Sequence, residues 1–307
     1  MQWFWLITIA AFTLVEVSRA SASPEWSDRT PATDGFLVQH GTLVVTIMET
    51  NQIVIAIDSR ATANRPGQTN TVEDGVEKVI PLSKHVAFFS TGAGMFHTRD
   101  STNNLADMAK AVAADWKKEN RQIQLDKLTQ DFKSRVADEL SRLTIADIHF
   151  LHQIAAKAGG SNVFQAVFAG MDFDAASRVL QVTCYAIVET NGGKMDAHLS
   201  FDVTEPKRIG KQWYLFLGAT KVFNDGMNNP TSPLAPFMRQ LKTSSGLLAE
   251  PTAAALLAAG IRDYGDGSDS PVGYPIFVYV LDVNGFRMTR KVEKGQAVPF
   301  DSRDQGK

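Results

Sequence analysis

Thr42 follows Gly41 and opens an apolar, β-branched run, and this junction is the most informative point of the chain for chemistry. A Gly–Thr peptide bond at the mouth of a strand is a candidate self-cleavage point. Once it is cut, Thr42 carries a hydroxyl nucleophile and a free α-amine on one residue. An unperturbed α-amine titrates near roughly 7.7–8.0, so nucleophile and base would come together. Downstream lie Asp58-Ser59-Arg60, Lys78 and Gly92-Ala93-Gly94. Taken singly each has a bland reading. Asp-Ser-Arg at a strand end is a solvated turn, Lys78 a surface lysine, and the glycine pair a tight turn.

The elements that must position these groups follow from the hydrophobic pattern. Thr42–Glu49 and Gln52–Asp58 read as a hairpin around Thr50-Asn51. Residues Ala63–Gly75 read as a polar loop. Val76–Leu82 and His85–Thr91 make a second strand pair. Leu105, Met108, Ala109, Val112, Ala113 and Trp116 then mark one face of a helix. Asp126–Lys157 continues as a second long helix or a kinked pair. Strands return at Val163–Gly170, Val179–Val188 and Trp213–Leu217, with helices at Ala235–Lys242 and Pro251–Tyr264. Tyr274–Leu281 and Phe286–Val292 flank the hairpin signal Asn284-Gly285. The order of strands, helices, strands, helices and strands predicts an α+β domain in layers, with two antiparallel sheets face to face and helices outside.

Of the 307 residues 44% are hydrophobic and 21% charged, and the net charge is −2, so nothing electrostatic points to nucleic acid or an anionic membrane. A lone cysteine, Cys184, excludes an internal disulfide and reads as a small buried hydrophobe. His149 and His152 lack a carboxylate pattern and read as a helix face rather than metal ligands. Asp263–Asp269 has the flavour of a calcium loop but lacks the closing Glu, so it reads as a plain loop. No metal or organic cofactor is expected. Residues 1–22 resemble a secretory signal, with an apolar run from Phe4 to Val15 and a small-x-small site at Ala20-Ser21-Ala22. No Lys or Arg precedes the run, which leaves an uncleaved membrane anchor as the alternative. Residues 23–41, with Pro24 and Pro31, read as propeptide or linker rather than fold, and 42–307 as one domain.

Gly41-Thr42, Ile55–Thr62, Glu77-Lys78-Val79-Ile80 and Ser90–Gly94 together resemble the opening third of a proteasome β-type subunit, in order and in spacing, apart from a longer loop before Lys78. Val163–Asp172 and Ile261-Arg262-Asp263 extend the resemblance more weakly. Extra length falls in Ser141–Ser161 and Gly193–Lys211. The resemblance implies a four-layer αββα sandwich of the N-terminal-nucleophile hydrolase type. It implies that Thr42 is the nucleophile and that Lys78 lowers the pKa of its hydroxyl and amine. Asp58 would orient Lys78, the Gly92 N–H would stabilise the oxyanion, and Arg60 and Asp263 would support the site. Ala61, Val76, Ile80, Ser90 and Gly94 would line a small, neutral substrate pocket. One departure stands out: where active family members carry a serine, this chain reads Leu217-Gly218-Ala219-Thr220, so one relay hydroxyl is missing unless Thr220 supplies it.

The expectation is a threonine-type endopeptidase, self-cleaved before Thr42 and acting on peptides or unfolded chains. The alternatives are an amidohydrolase on small acyl-amides and a non-catalytic structural subunit. The resemblance further implies homo-oligomers, ring-forming and packed through outer helices. Export to the periplasm or medium would exclude an ATP-driven unfolding partner.

Overall fold

Two apolar strands, β2 (Leu43–Met48) and β3 (Gln52–Asp58), lie at the centre of the fold. Their runs are continuously apolar because both faces are covered. Leu43, Val45 and Ile47 point into one core and Val44 into another. The computed structural model describes the chain from residue 38 to 296, apart from residues 41, 65–70, 98–101, 120–122, 158–161, 172–175, 192–193, 210–211, most of 219–247, 266, 268–269 and 271. All described elements lie in one compact unit, Thr33–Lys307.

The chain is α+β, with two main antiparallel sheets. The first has six strands in the order β13 (Lys207–Ile209), β14 (Gln212–Gly218), β2, β3, β15 (Ile276–Asp282) and β16 (Gly285–Val292). The second has five: β12 (Lys194–Thr204), β11 (Ser177–Asn191), β10 (Asn162–Met171), β7 (Val86–Gly92) and β6 (Ile80–Ser83). Between them sits a core of Val44, Ile53, Ile55 and Ile57 from the first sheet and Ala87, Phe89, Val167 and Ala169 from the second. Small sheets complete the set: β1 (Val38–His40), β4 (Ala61–Asn64) and β5 (Thr71–Glu73) form one, β8 (Met95–His97) and β9 (Thr102–Asn104) the other.

Helices α1 (Leu105–Lys118), α2 (Leu125–Leu140) and α3 (Ile145–Lys157) cover the outer face of the second sheet. The face of α1 that is buried is the one its periodicity marks, Leu105 to Trp116. Phe88, Phe132 and Phe168 meet there at centroid distances of 5.1–5.5 Å, a spacing suited to edge-to-face packing. Of the two readings of Asp126–Lys157, one long helix or a pair, the structure has a pair: Thr144 and Asp147 form a reciprocal cap that starts α3 afresh, the Thr144 N–H donating to Asp147 Oδ2 at 2.9 Å and the Asp147 N–H to Thr144 Oγ1 at 3.2 Å. Helix α4 (Ala249–Tyr264) covers the first sheet and is buried continuously from Thr252 to Ile261. A helix apolar on every side is enclosed, here between β2 and residues such as Phe223 and Leu234.

Three expectations change. The loop expected over Ala63–Gly75 contains β5 and the second half of β4. The strand expected from Val76 begins only at Ile80, and the Val76 N–H donates to the Ser59 carbonyl at 3.0 Å rather than to a ladder partner. The segment expected to be linker ends in β1, which pairs antiparallel with β4 through Val38–Asn64, Gln39–Ala63 and His40–Thr62. The helix expected at Ala235–Lys242 lies largely outside the described residues, as do the signal-like segment, Gly41, Asp172, Ala219 and Thr220.

Candidate active site

Antiparallel pairing of β2 with β3 sets Val44 opposite Ile57, which brings Asp58 beside Leu43 and hence beside Thr42. Asp58 is fully buried. Its Oδ1 accepts from the Leu43 N–H at 2.7 Å and from Lys78 Nζ at 3.2 Å. Its Oδ2 accepts from the N–H groups of Arg60 at 3.2 Å and Gly273 at 3.3 Å. Such a set of donors is what a buried carboxylate requires. Lys78 Nζ also donates to the Arg60 carbonyl at 2.5 Å and to Thr42 Oγ1 at 3.0 Å. Thr42 itself is 6% exposed, so its hydroxyl lies in a shielded place with one ammonium against it.

Burial is the largest influence on both members of the ion pair. It pushes the Lys78 ammonium below the ordinary lysine range, against the opposing pull of Asp58. It pushes Asp58 up, while Lys78 and the main-chain donors of Leu43 and Gly273 pull it back. Opposite charges held 3.2 Å apart in a buried place respond strongly to the loss of either partner.

Ser59, expected only as part of a solvated turn, is wholly buried. Its N–H donates to the Pro275 carbonyl at 3.1 Å, its carbonyl accepts from Val76 at 3.0 Å, and its Oγ accepts from the Gly75 N–H at 3.1 Å. Asp-Ser-Arg therefore clamps the segment that carries Lys78. Arg60 grips Asp74 with Nε at 2.6 Å and Nη2 at 3.0 Å, and donates through Nη1 to the carbonyls of Gly267 at 2.7 Å and Ser270 at 3.3 Å. This guanidinium fork holds the Asp74 carboxyl below the usual carboxylate range. Gly273 makes room for it, since a Cβ there would stand 2.6–2.7 Å from Arg60 Nε and Cζ.

The structure gathers Thr42, Asp58, Lys78 and Arg60. Asp263 is exposed in the last turn of α4, and the side-chain partners described for Arg60 include Asp74, Gly267 and Ser270. Among the expected pocket residues, Ala61 is buried at the start of β4 and Val76 half-buried beside Ser59. Ile80 packs on the core under α1, and Ser90 is half-buried on β7. The Gly94 carbonyl accepts from the Leu105 N–H at 3.0 Å. Gly92 ends β7 at φ +80°, where a Cβ would strike the Val163 carbonyl, so only glycine fits there.

Two contributors escape the sequence pattern: Asp74 and Gly273. The dipeptide Asp74-Gly75 was the one available signal, as a turn. His152, expected on a helix face, is half-buried with Nδ1 2.8 Å from the Ala186 carbonyl. Cys184 is buried, and burial pushes its thiol far up. No group of three metal-ligating side chains is found among the described residues. No helix among them is long and apolar enough to cross a membrane. The sequence matches no protein-family model, and no curated protein matches it at significant similarity.

Proposed function

We propose that this chain is a self-activating threonine peptidase of the N-terminal-nucleophile kind, built as a four-layer αββα sandwich and acting on extended peptide chains. The observation that carries the reading is Lys78 Nζ, 3.0 Å from Thr42 Oγ1 and 3.2 Å from buried Asp58. A lysine so placed favours the deprotonated hydroxyl and a neutral neighbouring amine.

The first reaction is on the chain itself. Thr42 Oγ attacks the Gly41 carbonyl carbon, the C–N bond to Thr42 breaks as the amine takes a proton, and an ester joins Gly41 to Oγ. Water then cleaves the ester, releasing the Gly41 carboxylate and freeing both hydroxyl and amine. In later turnovers Oγ attacks a substrate carbonyl, the Thr42 amine relays the proton to the leaving amine, and water hydrolyses the acyl-enzyme. The Gly92 N–H is the proposed oxyanion donor.

Strand β1 supports a peptide over a small acyl-amide as substrate. It lies on β4 as an added strand and leads to the bond to be cut. A groove that accepts its own leader by main-chain pairing accepts other extended chains by the same bonds. Export and ring assembly belong to the same proposal.

Intact-mass analysis of purified protein tests the reading. Wild type should begin at Thr42, and Thr42→Ala should keep residues 40–42 intact and hydrolyse no fluorogenic peptide. A wild-type chain with an uncut Gly41–Thr42 bond would sink the assignment. Turnover of acyl-amides alone by the cut protein would select the amidohydrolase, and a cut protein that peptide epoxyketones leave unlabelled would be a structural subunit.

A further inference from the structure

Gln165 lies on β10 with its neighbours in register across the sheet: Thr91 on β7 and Thr183 on β11. Phe164, Ala166 and Phe168 point to the helix-side core, while Val167 and Ala169 point between the sheets. Alternation therefore turns Gln165 into the space between the sheets. Its Oε1 accepts there from two donors. One is the Thr91 hydroxyl at 3.4 Å, and the other the Gly218 N–H at 3.4 Å. A main-chain N–H can only donate, so the orientation of the amide is fixed: its oxygen faces these two groups and its Nε2 turns away.

The two donors belong to different sheets, and each touches the proposed chemistry. Gly218 ends β14 at φ +84°, flush against Thr42; a Cβ on it would fall on the Thr42 carbonyl. Thr91 is 2% exposed and directly precedes Gly92. The apolar core between the sheets sets their coarse separation, but such contacts are not directional. A shared acceptor is. One carbonyl oxygen thus ties the strand that backs the nucleophile to the strand that ends in the oxyanion donor.

We infer that Gln165 is a positioning residue: its side-chain oxygen fixes the place of Thr42 relative to Gly92. This rests on the threonine-nucleophile reading. A shift of about 1 Å between nucleophile and oxyanion donor costs on the order of 100-fold in rate, while substrate binding along the groove is unaffected.

The test compares Gln165→Met, which keeps the bulk and loses the oxygen, with Gln165→Glu, which keeps an acceptor for both donors. Full-length chains are followed by intact mass for cleavage at Gly41–Thr42 and by fluorogenic peptide for kcat and KM. Q165M should be processed slowly and lose about 100-fold in kcat with KM nearly unchanged, and Q165E should recover most of both. Thr91→Val removes one donor at constant shape and should lower kcat about tenfold; it carries the test if Q165M does not fold. Wild-type kcat in Q165M or in T91V would overturn the inference, as would a Q165E enzyme as slow as Q165M. An uncut wild-type chain would overturn the threonine reading and this inference with it; a cut, active wild type with indifferent Gln165 overturns the inference alone.

Discussion

At the scale of single residues, the candidate site is a buried ion pair with the Thr42 hydroxyl against its ammonium. Lys78→Met leaves Asp58 without its only described side-chain partner and should cost about 3–5 kcal/mol of stability, read by urea denaturation, together with all processing at Gly41–Thr42. A processed Lys78→Met chain would remove the lysine from the mechanism. In the mature wild type, kcat/KM should rise with pH as the Thr42 amine loses its proton, with a midpoint at or below the roughly 7.7–8.0 of a free α-amine while Lys78 is protonated. It should fall again as Lys78 deprotonates. Burial disfavours the ammonium, so that proton leaves below the roughly 10.4 of a free lysine. Lys78→Arg should move the alkaline limb out of range, and a limb left in place would assign it to another group. Thr42, Asp58 and Lys78 were legible because their spacing is carried by consecutive local elements. Asp74, Gly273 and Gln165 were not, since each reaches the site through a pairing or loop that leaves no period in the sequence. Asp263, implied as a support of the site, stands exposed in the last turn of α4.

At the scale of elements, periodicity read the fold where one face or both faces were plainly apolar. The six residues that mark the face of α1 are the six it buries, and β2, β3, β15 and β16 stand where their runs and turns put them. Sequence reading failed where short polar strands depend on partners. β1, β4 and β5 are three or four residues each, too short to carry a period of their own, and pair with one another. The end of β14 is the element most tightly coupled to the chemistry. Gly218→Ala asks for a left-handed backbone and sets a methyl on the Thr42 carbonyl. It should cost about 1–3 kcal/mol and block self-cleavage while circular dichroism remains that of wild type. Complete processing in this variant would show that β14 can move without disturbing Thr42.

At the scale of the whole molecule, the helical faces constrain assembly. Helix α4 is enclosed by its own chain, and the open face of α1 presents Asp107, Lys110, Lys117 and Lys118. Association through such a face would be screened by salt. The leader strand has a different consequence. While β1 is tethered, β4 is the central strand of three. Once the Gly41–Thr42 bond is cut and the leader departs, β4 and β5 remain as a two-stranded ribbon, which is marginal in water. In the proposed peptidase an arriving peptide would then complete the floor that recognises it, capture and ordering would become one event, and the empty mature form would be frayed at its own entrance. Amide hydrogen exchange over Ala61–Asn64 should accordingly be slowest in the Thr42→Ala precursor, fastest in the empty mature protein, and slow again once an epoxyketone peptide is bound. Equal protection in all three states would mean that the ribbon is held without a third strand.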